Sequence, residues 1–392
     1  MQAVSTIQKA WDLRAHTTER ERLTIEIAYN TYGDWDWESA VERLRIYNQI
    51  YPNDAAGWFN LSSMYSRLGE YLQAIEAAEH AYHLAPNSGS GAETLARAYM
   101  RANRFADAKR VAAAAIAEGK DRWGTHRILY EIAYAEHDTQ RMKTEGEWGF
   151  THGEMGQSLT DLGFVAASEG KVREAAEYFT RARQEAIRAG DEDFADDATM
   201  FMAGILLQDG DLRGAAAKLK QMSSDAIDRG TTAEFKADLG DLGPAQREIA
   251  RASASETRNT LSLYFDLPML RAMLALKGHQ PAEAVKDLEP GRKYQMRDYG
   301  VPFLRARAEA EAGMLDKSAE DYRLVLANPG LDPIWPGHSI AHVELARVLV
   351  RANRLDEARA EYRVFLDIWK DADPQVPLLM QAKEEYAKLQ KH

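Results

Sequence analysis

The chain contains no cysteine, which excludes disulfides, thiolate metal sites and a cysteine nucleophile. Proline is scarce, 12 in 392 residues, so most of the chain is free to be helical. No run of about 18 apolar residues occurs, and no membrane span is expected. The first sixteen residues put Val4, Ile7 and Trp11 on one helical face rather than in one apolar block, which is not the pattern of a secretion signal. Positive charge is in deficit, with 49 Lys and Arg against 61 Asp and Glu. A nucleic-acid partner normally calls for the opposite balance, so none is expected. The phosphate-cradling glycine loops, the G-x-S-x-G elbow, the H-E-x-x-H zinc motif and the kinase catalytic motifs are all missing. No cofactor and no enzymatic activity are expected.

What is present favours helix. Hydrophobic residues make up 45% of the chain, enough to build a core, and Ala, Glu, Arg and Leu are conspicuous. A chain this long exceeds one compact core unless it is repetitive. Pro52 and Pro86 each close a helical run and lie 34 residues apart; Ala40, Ala74 and Ala108 keep the same spacing, as do Leu61, Leu95 and Leu129. A 34-residue period is that of tetratricopeptide helical hairpins. The clearest copy runs Trp58, Leu61, Ser62, Tyr65, Gly69, Tyr71, Ala74, Ala78, Ala81, Pro86. Further copies centre on Leu95–Ala115, Leu162–Ala182, Met202–Leu219, Ala306–Tyr322 and Leu345–Phe365, and Arg-Ala-Asn-Arg recurs at 101–104 and 351–354.

The residue types suit that geometry. Gly69, Gly170, Gly210, Gly313, Asn103 and Asn353 stand where the first helix of a hairpin must end in a left-handed residue. Small residues (Ser62, Ala96, Gly163 and Ala203 on one helix, Ala74, Ala108, Ala175 and Ala358 on the other) let paired helices approach closely. Tyr65, Tyr99, Phe179 and Tyr362 fill the space between hairpins. The expected architecture is all-α: a superhelical solenoid of about nine to ten hairpins with a C-terminal capping helix. Its parts are an N-terminal helix (1–20), a regular array (21–140), irregular hairpins (141–263), C-terminal hairpins (264–374) and the cap (375–392). Phase breaks are expected at the Gly-rich 141–157 and at the weakly patterned 221–263. The cap carries Leu378, Leu379, Ala382, Tyr386 and Leu389 at helical spacing.

Two histidine pairs, His338 with His342 and His80 with His83, are spaced to share a helix face, yet neither has a third ligand or a zincin carboxylate, so no metal is expected. The acidic runs at 191–197 and at Asp34, Asp36 and Glu38 lack the glycine and terminal glutamate of a calcium loop. They read as helix starts, where acids are favoured.

In such a solenoid the first helices line the concave face. Residues pointing there by the repeat count are Tyr29, Phe59, Asn60, Ser63, Glu93, Arg97, Arg101, Arg127, Glu131 and Tyr134, and near the other end Glu344, Arg347 and Arg351. Aromatics with arginines suit a peptide or partner protein held by ring contact and Arg–carboxylate pairs. Asn60 with Arg97 or Arg101 matches parts of the two-carboxylate clamp of some tetratricopeptide adaptors, but the Asn and Lys one repeat earlier are missing, and that clamp is not expected.

Residues 13–54, with Thr18-Glu19-Arg20-Glu21-Arg22 ahead of the first hairpin, and 361–390, with Trp369-Lys370-Asp371-Ala372-Asp373-Pro374, go beyond the generic repeat. Both resemble the repeat region that follows the kinase domain in bacterial eukaryotic-like serine/threonine kinases. The resemblance implies a scaffold or sensor linked to bacterial signalling, cytoplasmic or, if tethered to a membrane kinase, extracytoplasmic. The alternative is a small-molecule-sensing repeat domain of a kinase or transcriptional regulator. The sequence sets no oligomeric state.

Overall fold

The structure is a computed structural model that describes every residue except 1, 209, 224–229, 255–258 and 391–392. Parts of the weakly patterned stretch 221–263, and the ends of the N-terminal helix and of the cap, therefore lie outside the described residues. Among the described residues, helix α1 (Gln2–Leu13) precedes ten helix pairs. These are α2 (Glu19–Tyr32) with α3 (Trp37–Ile50), α4 (Ala55–Leu68) with α5 (Tyr71–Leu84), and α6 (Gly89–Arg101) with α7 (Phe105–Ala117). Then come α8 (Trp123–Ala135) with α9 (Thr139–Thr151), α10 (Met155–Ser168) with α11 (Val172–Ala189), and α12 (Glu192–Gln208) with α13 (Leu212–Leu219). The second half holds α14 (Gly230–Asp238) with α15 (Gly243–Ser253), α16 (Leu267–Lys277) with α17 (Pro281–Leu288), α18 (Gly300–Glu311) with α19 (Leu315–Leu326), and α20 (Pro336–Arg351) with α21 (Leu355–Ile368). Helix α22 (Pro377–Leu389) closes the described chain.

Local chemistry sets the helix ends. Gly69 turns left-handed at φ 77°, and its N–H and that of Glu70 return to Ser66 and Tyr65 carbonyls. Asn103, Gly170, Gly210, Gly313 and Asn353 do the same. His137 and His279 also stand at positive φ, although neither residue type announces it. His137 follows Asn103 by one 34-residue period, so the repeat position rather than the side chain imposes the conformation. Thr18 and Glu21 form a reciprocal capping box at the start of α2.

Close helix approach rests on the small residues. Ser62 and Ala74 are fully buried, and the Ser62 hydroxyl donates to the Ala74 carbonyl at 2.8 Å. Ser318 donates to the Ala306 carbonyl at 2.7 Å, the same crossing with the hydroxyl moved to the second helix. A Cβ on Gly163 would lie 2.8 Å from the Phe179 ring. The Gly-rich 141–157 is helical for most of its length, since α9 continues to Thr151 and α10 starts at Met155, and the phase changes there. First helices begin at Ala55, Gly89 and Trp123, 34 residues apart, and then at Met155, which shortens the period by two. Helix α22 buries Leu379, Ala382 and Leu389, and Arg347 reaches Glu385 on it at 3.0 Å.

The array does not stay open. Hairpin turns of the first half dock in succession on the second half. Trp37 N–H donates to Thr260 Oγ1 at 3.0 Å, Tyr71 OH to the Arg297 carbonyl at 3.3 Å, and Asn103 Nδ2 to Asn328 Oδ1 at 3.1 Å. Asp373 receives Arg173 at 2.6 Å, and Trp369 Nε1 donates to the Ser168 carbonyl at 2.9 Å. One apolar core joins residues between 37 and 132 to residues between 265 and 308; another joins 166–205 to 299–389. The open concave groove expected from the repeat is thus partly closed by the chain itself.

Candidate functional site

The N-terminal halves of α6, α8 and α10 leave a cavity of about 560 Å³. It is lined by Glu93, Arg97, Arg122, Trp123, Gly124, Arg127, Trp148, Glu154 and Gln157. Glu93 lies 3.3 Å from Arg97 and 3.8 Å from Arg122. A Cβ on Gly124 would lie 2.0 Å from the Glu93 carboxylate, so the glycine lets this acid rest on the first turn of α8, where the helix dipole favours it. Arg127 Nε is 3.0 Å from Asp161 and 3.1 Å from Glu131. Burial pushes the Asp161 carboxyl up to about 6, against the pull of Arg127 and with the Glu131 charge adding to the shift. The guanidiniums are therefore shared with internal acids, and an incoming carboxylate would join these pairs rather than meet a bare charge.

The aromatic wall is held from behind. Trp148 is stacked between His126 at 4.1 Å and His152 at 4.0 Å. His126 sits between Glu145 at 2.6 Å and Asp121 at 2.9 Å. Burial alone would lower the His126 pKa, but the two acids outweigh it and the net shift is upward. In its protonated form the ring faces the Trp148 π-system, a favourable cation–π arrangement.

The C-terminal halves of the same helices are covered. Residues 327–335, between α19 and α20, lie across them. Ile334 is buried beside Tyr130 and Val165, with Tyr134 packed on the same cluster. Ser168 Oγ donates to the Ile334 carbonyl at 2.7 Å, and Gly330 N–H donates to Asn103 Oδ1 at 2.8 Å. Tyr134, expected to meet a partner, packs on this segment instead, and the charges of Arg101 and Glu131 act on its Asp332.

The other residues of the expected face divide similarly. Tyr29 is stacked on Trp11 of α1 at 4.1 Å, so that face of its ring is taken. Phe59 packs over Gly91, where a Cβ would lie 2.3 Å from the ring. Ser63 donates to the Phe59 carbonyl of its own helix at 3.0 Å, and Asn60 is exposed. Arg347 pairs with Glu344 at 2.7 Å as well as with α22, and Arg351 donates to the Ala310 carbonyl at 2.7 Å. The structure thus brings Glu93, Arg97 and Arg127 together at one cavity. It adds Arg122, Trp123, Trp148, Glu154 and Gln157, which the repeat count passed over; Arg127 and Asp161, one 34-residue period apart, were the sequence signal for the charged floor.

The histidine pairs take structural places. His338 is mostly enclosed, and burial lowers its pKa to about 4, with His342 adding. His342 faces Glu361 at 2.6 Å, and His80 packs on Trp58. Among the described residues no group of three or more His, Asp or Glu is arranged to hold a metal. No helix among them is long and apolar enough to cross a membrane.

Comparison with known proteins agrees with the hairpin geometry. Two family models, each described as a tetratricopeptide repeat, match the chain: one over residues 93–149 and 303–377, the other over 55–88. No curated protein matches. Among solved structures, the tetratricopeptide domain of P58(IPK) is 11% identical, covering 98% of each chain at a TM-score of 0.28. The TPR2AB domain of yeast Sti1, solved with an HSP90 peptide, is 12% identical, covering 86% of this chain and 98% of that one, also at 0.28. The matched repeats coincide with hairpins α4–α5, α6–α9 and α18–α21, and these hairpins are tetratricopeptide repeats.

Proposed function

We propose that this chain is a non-catalytic interaction module that holds a polypeptide segment of a partner protein on its concave face. The observation that carries the reading is the cavity between α6, α8 and α10, where Arg97, Arg122 and Arg127 stand beside Trp123 and Trp148. Small-molecule pockets are lined mainly by apolar groups with a few polar ones. This cavity has the reverse balance, with five charged side chains around two indoles, which suits an acidic side chain of a peptide held against a ring. The resemblance of residues 13–54 and 361–390 to kinase-linked repeats supports a partner in bacterial signalling.

Affinity capture with the unsubstituted chain and with Arg97→Ala tests this. Arg97 is half-exposed and its carboxylate partner Glu93 keeps Arg122, so the variant is expected to fold. A partner recovered by the unsubstituted chain and lost with Arg97→Ala supports the reading. Identical recovery by both sinks it.

A further inference from the structure

The covered half of the concave face differs from ordinary core packing. Links between early hairpins are short, as at 51–54 and 85–88, whereas 327–335 is longer and folds into two consecutive turns. Leu331 N–H returns to the Asn328 carbonyl at 3.0 Å, and Trp335 N–H to the Asp332 carbonyl at 3.2 Å. Each turn has Asn or Asp first and proline second (Asn328-Pro329 and Asp332-Pro333), the pairing that pre-sets a β-turn. The segment is shaped by its own sequence before it docks.

The array reads this segment as a ligand would be read. Side chains from two hairpins hold its backbone: Asn103 Oδ1 accepts from the Gly330 N–H, and the Ser168 hydroxyl donates a hydrogen bond to the Ile334 carbonyl. Asn103 stands at positive φ at the end of a first helix, where other repeats carry glycine, histidine or, at 353, another asparagine. Gly330 approaches so closely that a Cβ would lie 1.9 Å from the Met100 carbonyl. Leu331 and Ile334 are buried, while Asp332 is exposed, with the Glu131 charge against its carboxylate and Arg127 and Arg101 as the nearby cations. Arg101 Nε is buried without a hydrogen-bond partner.

We infer that the C-terminal halves of α6, α8 and α10 are a peptide-docking surface. Its occupant here is the chain's own 327–335 segment, and its external partner is a peptide of the same chemistry: an Asn–Pro or Asp–Pro turn followed by an aliphatic residue. This rests on the reading of the concave face as polypeptide-binding and adds the class of peptide and its intramolecular competitor. A tethered segment acts at an effective concentration on the order of millimolar. An external peptide must therefore bind tightly or meet a chain whose segment has been released.

The test uses a full-length variant, Leu331→Ser with Ile334→Ser, which weakens the segment's own anchors, and a fluorescent synthetic peptide of residues 327–337. The folded variant is expected to bind the peptide, the unsubstituted chain not to bind it, and the peptide carrying Ile334→Ser, which loses a buried anchor, to bind about tenfold more weakly. If the variant does not fold, Asn103→Ala with Ser168→Ala removes the backbone grip and leaves the segment intact. Hydrogen exchange in 327–335 should then rise at least about tenfold while α4 to α11 stay protected. A folded double-Ser variant that ignores the peptide overturns the inference, as does unchanged exchange in the second variant. If Arg97-dependent capture persists in either case, only this inference falls; if that capture also fails, the broader reading falls with it.

Discussion

At the scale of single residues, the charges around the concave face make stability depend on pH. Glu145 and Asp121 favour the protonated form of His126, so its contribution is full below its ordinary value of 6.5 and is lost as pH rises through its higher folded value. Asp161, pushed up to about 6, and Asp332, pushed up to about 7, also take up protons more readily when folded. All three favour the fold as pH falls from 8 toward 6.5. His338 works the other way only below 6.5, because burial keeps it neutral. The melting temperature should therefore be higher at pH 6.5 than at pH 8, and His126→Gln should reduce the difference. A melting temperature that does not change over this range would contradict the charge assignments.

Single hairpins were legible because their determinants are local. The helix-ending glycines and asparagines were visible as residues, whereas His137 and His279 take the same conformation without a signal in their side chains. The crossing at Ser62 and Ala74 leaves no room for a larger side chain. Ala74→Leu should overpack it at roughly 1–3 kcal/mol, read from chemical denaturation. Gly119 is a useful contrast: it stands at φ 64° with nothing near its missing Cβ. Gly119→Ala should cost only the backbone term, about 1 kcal/mol. Of the expected face, Glu93, Arg97 and Arg127 reach the open cavity, but Tyr29 does not, because Trp11 on a helix outside the repeat covers it.

For the whole molecule, the decisive feature is that the second half closes on the turns of the first. Gly69 has nearly the same backbone strain as Gly119, φ 77°, but a Cβ there would also lie 2.5 Å from the backbone of Met296 and Arg297. Gly69→Ala should therefore destabilise clearly more than Gly119→Ala, and the difference measures the closure. Equal losses in denaturation would mean that the halves do not meet in solution. Trp369 is fully buried at the second clasp, where its indole donates to Ser168 across the two halves. Trp369→Ala should cost about 3–5 kcal/mol and enlarge the radius of gyration in solution scattering. The motif Trp369-Lys370-Asp371-Ala372-Asp373, which carried the kinase-linked resemblance, has a structural role here: Asp373 and Trp369 fasten α21 to the turn at Gly170. By itself the sequence determined the hairpin, its period, its helix ends and the charged stripe of α6 and α8, because each depends on neighbours within one or two repeats. The tertiary structure alone decided that the superhelix closes and which half of the concave face stays open. Those outcomes rest on contacts such as Asn103 with Gly330 and Ser168 with Ile334. Pairs so far apart in the chain share no period, so nothing in a 34-residue pattern could mark them.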